Sequence, residues 1–318
     1  MKIIFAGTPE FAVPSLEEII KAGHEVAAVI TAPDKPSGRG LKLQPSPVKT
    51  AALHYGIQVF QPHNLKDENF LRQMEGINPD VIIVVAFRKM PQSLWSIPAK
   101  GTINLHASLL PQYRGAAPIH WAIINGETET GLTTFFINEI IDTGAIILQK
   151  KMGIGAEETA GELHDRMKAE GAALIVETLR LIASGTVETT AQDLTGELKP
   201  APKIFKHHCR IDWNRPVQKV YNLIRGLSPY PAAFFELTNS EGQCIQCKVF
   251  RSKPVYLPAE TPGKLNTDGK SFLHICCMDA WLSIEEMKPE GKNRMTIASW
   301  LNGIRHAAEW ETAGNEKT

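Results

Sequence analysis

The feature that most constrains the fold of this chain is a set of short, uninterrupted apolar runs in its first half. Residues 80–86 read Asp-Val-Ile-Ile-Val-Val-Ala, and similar runs cover residues 2–6, 26–30 and 101–105. Helical spacing of apolar residues follows the first run, over residues 13–22. Strands that are apolar on both faces are typical of a parallel sheet covered by helices. The sequence therefore predicts a Rossmann-like, mainly parallel α/β domain.

A polar stretch, Asn104-Leu-His106-Ala-Ser-Leu-Leu-Pro111, lies at the end of one of these runs. Residues two apart in a strand share a face, so Asn104 and His106 point the same way. Ligands of such sheets bind beyond the carboxyl ends of the strands. An amide and an imidazole there can hold and polarise a carbonyl oxygen, and Asp142 in the Asp-Thr-Gly stretch 142–144 can tune the imidazole. A polar pair satisfied at a strand end is the alternative, but the stiff turn and the second polar loop favour an active site.

The second half of the chain has a different pattern. A long helix is predicted over residues 160–184, and the aperiodic, proline-containing stretch 189–206 reads as a linker. One helix pattern, over residues 217–227, is followed by short β-like runs separated by turn residues, which favours a small antiparallel, OB-like β-barrel. We therefore predict a catalytic domain over residues 1–188 and a barrel domain over residues 207–314.

Charge is balanced over the whole chain but not locally. Lys+Arg and Asp+Glu are both 34, so the overall charge indicates no nucleic-acid partner. Residues 199–225 contain a single acidic residue, Asp212, and form a local basic strip. Its cations are Lys199, Lys203, Lys206, Arg210, Arg215, Lys219 and Arg225. Such a strip fits phosphates, although a solvated linker fits its charge equally well. The loop over residues 32–47 is rich in Pro, Gly and cations, and Arg39 in it suits an anionic partner.

Cysteine usage and the amino terminus point to the cytoplasm. The chain starts directly with a strand pattern rather than a signal peptide, and no apolar run is long enough to cross a bilayer. Its five cysteines are an odd number, which predicts free thiols. Cys244 and Cys247 have the spacing of zinc ligands, but they lie on a strand pattern without a second such pair. We expect small buried side chains there and no metal site.

Taken together, these residues resemble the methionyl-tRNA formyltransferase family over nearly the whole chain. The segments that carry the resemblance are residues 5–9, 33–40, 45–48, 104–111, 113–119, 129–131, 142–144 and 210–213. The Asn104, His106 and Asp142 set with its Ser-Leu-Leu-Pro turn is shared by all transferases of this fold that use 10-formyltetrahydrofolate. The Arg-Gly-Ala-Ala-Pro-Ile stretch, the Gly-Arg-Gly loop and the linker into Arg-Ile-Asp-Trp narrow the resemblance to the tRNA enzymes.

The resemblance implies a formyltransferase fold and a reaction. A formyl group would pass from 10-formyltetrahydrofolate to the α-amine of methionine on initiator Met-tRNA, for translation initiation. It implies that Asn104, His106 and Asp142 are catalytic, that Ser108, Leu109, Leu110 and Pro111 contact the folate, and that Arg39, Lys203, Lys206 and Arg210 contact the tRNA. We expect a monomer that needs neither a metal nor a membrane.

One segment departs from the family pattern. The family usually has an aromatic-glycine pair and a short apolar run after the buried strand. This chain reads Ala86-Phe-Arg-Lys-Met-Pro91, with Arg88 at the glycine position and one residue fewer. The segment borders the pterin pocket in the family, so the resemblance does not fix its path here.

Three other functions compete with this interpretation. A formyltransferase for an amino sugar nucleotide would keep the catalytic set but has less need of the basic loop and linker. A glycinamide ribonucleotide formyltransferase needs only the first domain. A non-catalytic RNA-binding module would use the basic strip and the barrel, but it would leave the arrangement of Asn104, His106 and Asp142 unexplained.

Overall fold

The computed structural model describes residues 1–37, 42–304 and 310–312, and the chain divides into two compact units. The first unit consists of Met1–Gly115, Glu129–Gly153 and His164–Pro200, and the second of Ala116–Thr128, Ile154–Leu163 and Ala201–Thr318. Two short segments from the first half of the chain thus belong to the second unit. The predicted bounds, a domain over 1–188, a linker over 189–206 and a barrel over 207–314, stay a prediction.

The first unit is built on a seven-stranded sheet with the order β5-β2-β1-β6-β7-β8-β9. Its strands and a separate two-stranded ribbon, β3 and β4, are β1 (Lys2–Gly7), β2 (Glu25–Ile30), β3 (Lys35–Ser37), β4 (Lys42–Gln44), β5 (Val59–Phe60), β6 (Val81–Val85), β7 (Thr102–His106), β8 (Glu129–Phe136) and β9 (Ile146–Gly153). The neighbouring strands β5, β2, β1, β6 and β7 run parallel to one another. Strand β8 is antiparallel to β7, and β9 is antiparallel to β8. The predicted mainly parallel sheet is confirmed.

The helices within residues 1–184 are α1 (Val13–Lys21), α2 (Pro47–His54), α3 (Glu68–Ile77), α4 (Gln92–Trp95), α5 (Pro118–Asn125) and α6 (Ala160–Ser184). Sequence analysis missed α2 and α3. Helix α2 buries only Val48 and Ala52 and shows little apolar periodicity, whereas α3 has apolar residues at helical spacing, at positions 70, 71, 74 and 77, and was overlooked. The amino-terminal caps of both helices were a further signal. The Ser46 hydroxyl accepts a hydrogen bond from the Lys49 amide, and the Asp67 carboxylate accepts one from the Phe70 amide.

The register of the central strands positions the polar stretch. All five residues of β6 are buried, which explains its unbroken Val/Ile run. In β7, Asn104 lies opposite Val84 of β6 and Phe135 of β8, and His106 lies opposite Thr133 of β8. His106 is therefore at the end of the strand that lies between the parallel and the antiparallel parts of the sheet.

The second unit carries an antiparallel sheet with the order β12-β13-β14-β11-β10-β16, and β15 pairs with β14. Its elements are α7 (Val217–Leu227), β10 (Ala233–Thr238), β11 (Cys244–Val255), β12 (Leu265–Thr267), β13 (Leu273–Cys276), β14 (Trp281–Pro289), β15 (Met295–Thr296), α8 (Ile297–Leu301) and β16 (Glu311–Thr312). Helix α7 packs its buried face, including Val220, Ile224 and Leu227, into the core of this sheet. The predicted small antiparallel barrel-like sheet is confirmed.

The cysteines are free thiols in the structure. Cys209, Cys247, Cys276 and Cys277 are buried, and burial raises the pKa of the Cys247 and Cys277 thiols to about 12, so that both stay neutral. Cys244 is exposed, so the expectation of a buried side chain is wrong at that position. Within the described residues no cluster of three or more His, Cys, Asp or Glu side chains could hold a metal ion, and no helix is long and apolar enough to cross a membrane.

Candidate active site

Asn104 and His106 lie on one face of β7, as their spacing predicts. His106 is only 6 % exposed. Asn104 is partly exposed, and its side-chain amide makes no hydrogen bond to another described residue. The opposite face of β7 is covered by α6. That helix approaches closely because Gly171 has no side chain, and a Cβ there would lie 2.7 Å from a methyl carbon of Leu105. A buried scaffold thus presents one free amide and one nearly enclosed imidazole.

Hydrogen bonding fixes the orientation of the His106 ring. Its Nε2 lies 2.9 Å from the backbone carbonyl oxygen of Tyr113. A carbonyl oxygen can only accept a hydrogen bond, so Nε2 carries a proton and donates it. Tyr113 is itself held in the left-handed region with φ +58°, and its amide donates to the Lys199 carbonyl at 2.6 Å. The Nδ1 edge of the ring is therefore the one left for chemistry.

Asp142 faces that Nδ1 edge. The Asp142 Oδ2 lies 3.9 Å from His106 Nδ1, which is an ion-pair distance but longer than a direct hydrogen bond. The Gly115 amide donates to the same oxygen at 3.0 Å. Asp142 adopts φ +58°, a conformation that Asp and Asn tolerate better than most residues. The three predicted catalytic residues are brought to one end of the sheet, and the assignment of their roles remains a proposal.

Gln192 is a residue of this site that sequence analysis missed. Its side-chain amide donates to the carbonyl oxygens of Asp142 (3.0 Å) and Gly144 (2.8 Å), and its Oε1 accepts a hydrogen bond from Arg114 Nε at 3.1 Å. Gln192 lies in the stretch predicted to be a linker, where no periodicity or motif distinguished it. Gln192 thus connects the Asp142 loop to Arg114, the residue that follows Tyr113, the hydrogen-bond partner of His106.

The Ser108–Pro111 turn is closed by its own hydrogen bonds. The Ser108 hydroxyl is fully buried and donates to the Gln112 carbonyl at 2.6 Å. The Thr133 hydroxyl donates to the Ser108 carbonyl at 2.7 Å and accepts from the Leu110 amide at 3.2 Å. The Leu110–Pro111 peptide bond is cis. Leu109 and Pro111 are only partly buried, so the turn offers apolar surface to a ligand while its polar groups are occupied.

Gly144 allows the Asp142 loop to pass close to the sheet. A Cβ at Gly144 would lie 1.6 Å from the Phe136 carbonyl oxygen, which no side-chain movement can relieve. We expect Gly144→Ala to lower the free energy of unfolding by about 3 kcal/mol or to displace the Asp142 loop. Thermal denaturation and turnover of the purified variant measure both effects.

Gly76→Ala is the matched control for Gly144→Ala. Gly76 lies inside α3, and a Cβ added there would meet no atom within 4 Å, so alanine should be neutral or stabilising by up to about 1 kcal/mol. A Gly144→Ala protein with the stability and turnover of the Gly76→Ala protein would show that the close approach to Phe136 is unimportant.

The predicted tRNA-contacting cations differ in their surroundings. Arg39 lies outside the described residues. Lys203 and Lys206 are exposed, and neither forms a salt bridge within residues 1–37, 42–304 and 310–312. Arg210 pairs with Glu236 at 3.1 Å. Arg225 was counted in the basic strip, but it is only 7 % exposed, so it is not part of a basic surface.

The buried Arg225 has a structural role inside the second unit. Its guanidinium donates to the carbonyl oxygens of Glu158 (3.1 Å) and Gly155 (3.4 Å) and to the Asn222 side chain (2.9 Å). These bonds satisfy a cation that burial would otherwise disfavour. Arg225 thereby fastens the 154–163 segment to α7.

The segment that departs from the family pattern has a defined path. Ala86 turns the chain with φ +48°, and the Arg88 guanidinium donates to the carbonyl oxygens of Pro62 and His63, the latter at 3.0 Å. It also lies 5.8 Å from the centroid of the Phe87 ring. Arg88 therefore ties the end of β6 to the segment after β5, where a glycine could make no such contact.

Comparison with protein-family models agrees with this architecture. Residues 1–179 match the formyl transferase family, and residues 203–305 match the formyl transferase C-terminal domain. An N-formyltransferase from Helicobacter canadensis, solved with folinic acid and dTDP-3-aminofucose, has the same fold with a TM-score of 0.67 at 20 % identity, covering 91 % of this chain and 100 % of that one. Fold and site thus define an enzyme of the formyl transferase class.

Relatives that match this chain over nearly their whole length identify its family within this class. Methionyl-tRNA formyltransferase of Bacteroides thetaiotaomicron is 48 % identical over 96 % of this chain and 96 % of its own. That of Parabacteroides distasonis is 46 % identical over 98 % of each chain. The chain belongs to the methionyl-tRNA formyltransferase family.

Proposed function

We propose that this enzyme transfers a formyl group from 10-formyltetrahydrofolate to the α-amine of methionine on initiator Met-tRNA. The observation that carries the proposal is the likeness to methionyl-tRNA formyltransferases, which extends over 96 % of the chain and therefore spans both units. The structural likeness to the Helicobacter canadensis N-formyltransferase at 20 % identity concerns the fold alone. We further propose that the enzyme is a cytoplasmic monomer and works without a metal.

The chemistry needs a stabilised oxyanion and a path for one proton. The methionine amine attacks the formyl carbon, a C–N bond forms, and negative charge develops on the formyl oxygen. The side-chain amide of Asn104 can donate a hydrogen bond to that charge. Nε2 of His106 already donates to the Tyr113 carbonyl, so His106 donates to the formyl oxygen from Nδ1, as an imidazolium. The amine then loses a proton, the bond from the formyl carbon to the folate nitrogen breaks, and that nitrogen gains a proton.

Asp142 is the group we assign to the proton path. Its Oδ2 is 3.9 Å from His106 Nδ1, a gap that a water molecule or the reacting amine can bridge. The carboxylate can accept the proton that leaves the amine, while His106 keeps its Nε2 bond to Tyr113. The Ser108–Pro111 turn, with its partly exposed Leu109 and Pro111, is the proposed apolar support for the folate.

Acceptor identity is tested by direct competition. Purified enzyme with 10-formyltetrahydrofolate should formylate Met-tRNA and leave an amino sugar nucleotide unmodified, as measured by separating formylated from free aminoacyl-tRNA. Formylation of the sugar nucleotide without formylation of Met-tRNA would overturn the proposed function. Binding of RNA without transfer to any acceptor would favour the non-catalytic alternative.

Asn104→Ala tests the oxyanion assignment. Loss of one such donor should lower kcat about a hundredfold while the dissociation constant for the folate changes less than about threefold. Asn69→Ala, on the exposed surface of α3, is the matched control and should leave both constants unchanged. An Asn104→Ala protein with normal kcat and weakened folate affinity would assign Asn104 to binding instead.

Arg39, Lys203, Lys206 and Arg210 remain the proposed tRNA contacts. Arg210 is expected to contribute least among the described ones, because its charge is already paired with Glu236. Lys203 and Lys206 carry their charge without a carboxylate partner among the described residues.

A further inference from the structure

An aromatic cluster that is partly open to solvent surrounds a 3-10 turn, Lys206–Cys209, in the second unit. It consists of Trp121, Phe205, His207 and His208, which we call the aromatic platform. The Phe205 and His207 rings are within 11° of parallel with centroids 5.9 Å apart, and His208 lies 3.9 Å from His207. Trp121 meets His208 edge-on at 5.7 Å. Sequence analysis assigned no role to any of these four side chains.

The aromatic platform is held rigidly by its own backbone. The Phe205 amide donates to His208 Nδ1 at 3.0 Å, and the His208 amide donates to the Phe205 carbonyl at 3.0 Å. The Trp121 indole donates to the Pro202 carbonyl at 2.7 Å. Although these hydrogen bonds fix the backbone around it, the Phe205 side chain is not covered by other residues and is 52 % exposed. A large apolar ring held in place and open to solvent is a feature of binding surfaces.

Positive charge flanks the exposed ring. Lys203 Nζ lies 5.6 Å from the centroid of the exposed Phe205 ring. Lys206 follows Phe205 in the chain, and its Nζ lies 5.8 Å from the centroid of the buried Phe234 ring. Neither lysine has a carboxylate partner within the described residues, so both can turn toward phosphate. An exposed aromatic ring beside cations without a carboxylate partner matches a single-stranded nucleic acid, whose bases stack while its phosphates need neutralising.

We propose that the aromatic platform stacks an unpaired base of the bound tRNA on Phe205, while Lys203 and Lys206 contact the adjoining phosphates. This deepens the proposed function and rests on it as far as the identity of the RNA is concerned. A base inside a duplex already stacks on its neighbours, so the platform selects a single-stranded segment.

Phe205→Leu removes the aromatic face and keeps an apolar side chain of similar size. Since stacking on one aromatic residue contributes about 1–3 kcal/mol, the KM for Met-tRNA and the Kd for a single-stranded RNA oligonucleotide should rise about tenfold or more, with kcat unchanged. Phe205→Trp should restore both constants. Tyr256→Leu is the matched control, because Tyr256 is 77 % exposed but makes no ring or cation contact in the described part of the chain.

Salt dependence separates stacking from charge. Lys203→Ala and Lys206→Ala should each reduce the slope of log Kd against log salt by about 0.7, the value for one phosphate of a single strand, whereas Phe205→Leu should leave the slope unchanged. A duplex RNA of the same length should not distinguish Phe205→Leu from the unmodified enzyme. Unchanged oligonucleotide affinity in Phe205→Leu, or an equal loss of affinity in Tyr256→Leu, would show that Phe205 does not stack a base of the RNA.

Failure of the aromatic platform and failure of the proposed function are distinguishable. If the unmodified enzyme formylates Met-tRNA and Phe205→Leu does so with the same KM, only the platform is wrong. If the unmodified enzyme does not formylate Met-tRNA, the function is wrong, and the oligonucleotide measurement still decides whether Phe205 stacks on RNA.

Discussion

His106→Ala should reduce formyl transfer by about a thousandfold or more, because one substitution removes both a donor to the oxyanion and the ring that faces Asp142, the proposed proton acceptor. The ring is fixed by the 2.9 Å bond from Nε2 to Tyr113, and its Nδ1 edge faces Asp142. Single-turnover formylation of Met-tRNA at saturating folate measures the chemical step without product release.

Two further variants and a stability measurement test whether the loss of activity in His106→Ala comes from the missing imidazole. His106 is only 6 % exposed, so alanine leaves a cavity, and the melting temperature must be measured alongside. His106→Gln keeps a polar group that can donate to the Tyr113 carbonyl but has no imidazole, and it should lose activity to a similar extent. The exposed His54→Ala is the matched control and should be fully active. Normal turnover by a folded His106→Ala protein would remove His106 from the reaction.

Asp142→Asn should have the second largest effect, a loss in kcat on the order of a thousandfold, because it removes the proposed proton acceptor. Asparagine is nearly the same size and tolerates the left-handed conformation at φ +58°. Its Oδ1 can still accept the hydrogen bond from the Gly115 amide, so the loop should keep its shape. The measurement is kcat at saturating Met-tRNA together with the folate dissociation constant.

The outcome for Asp142→Asn separates chemistry from architecture. Asp165→Asn, which removes an exposed carboxylate of α6, is the matched control and should not change kcat. If Asp142→Asn keeps its kcat and Gln192→Ala loses it, Asp142 and Gln192 only shape the loop. Loss in Asp142→Asn with near-normal melting temperature supports the proposed role in proton transfer.

Local patterns in the sequence were sufficient for much of the first unit. The Val/Ile run of β6 predicted a strand buried on both faces, and the two-residue spacing of Asn104 and His106 placed them on one face of β7. Both are short-range consequences of strand geometry and hence visible in sequence. Helix α2 escaped prediction because few of its side chains are buried and only its cap Ser46 marked it. Helix α3 was overlooked, although its apolar residues at 70, 71, 74 and 77 have helical spacing and Asp67 caps it.

Long-range contacts account for what could not be predicted. Gln192 holds the Asp142 loop from a position 50 residues away in sequence, in a stretch without periodicity. Arg225 looked like a member of a basic surface, and its burial depends on carbonyl groups of the 154–163 segment, far away along the chain. Arg88 finds its partners at Pro62 and His63, which no spacing rule connects to it.

The sequence by itself determined the fold class, the strand that carries Asn104 and His106, and the family to which the chain belongs. Each follows from local periodicity or from an uninterrupted motif, whose information lies within a few neighbouring residues. Only the tertiary structure decided which nitrogen of His106 faces Asp142, which cations are free to meet phosphate, and that Phe205 stands exposed on a rigid turn. These depend on hydrogen bonds and burial between residues distant in the chain, because a side chain's charge, orientation and exposure are set by whatever folds against it.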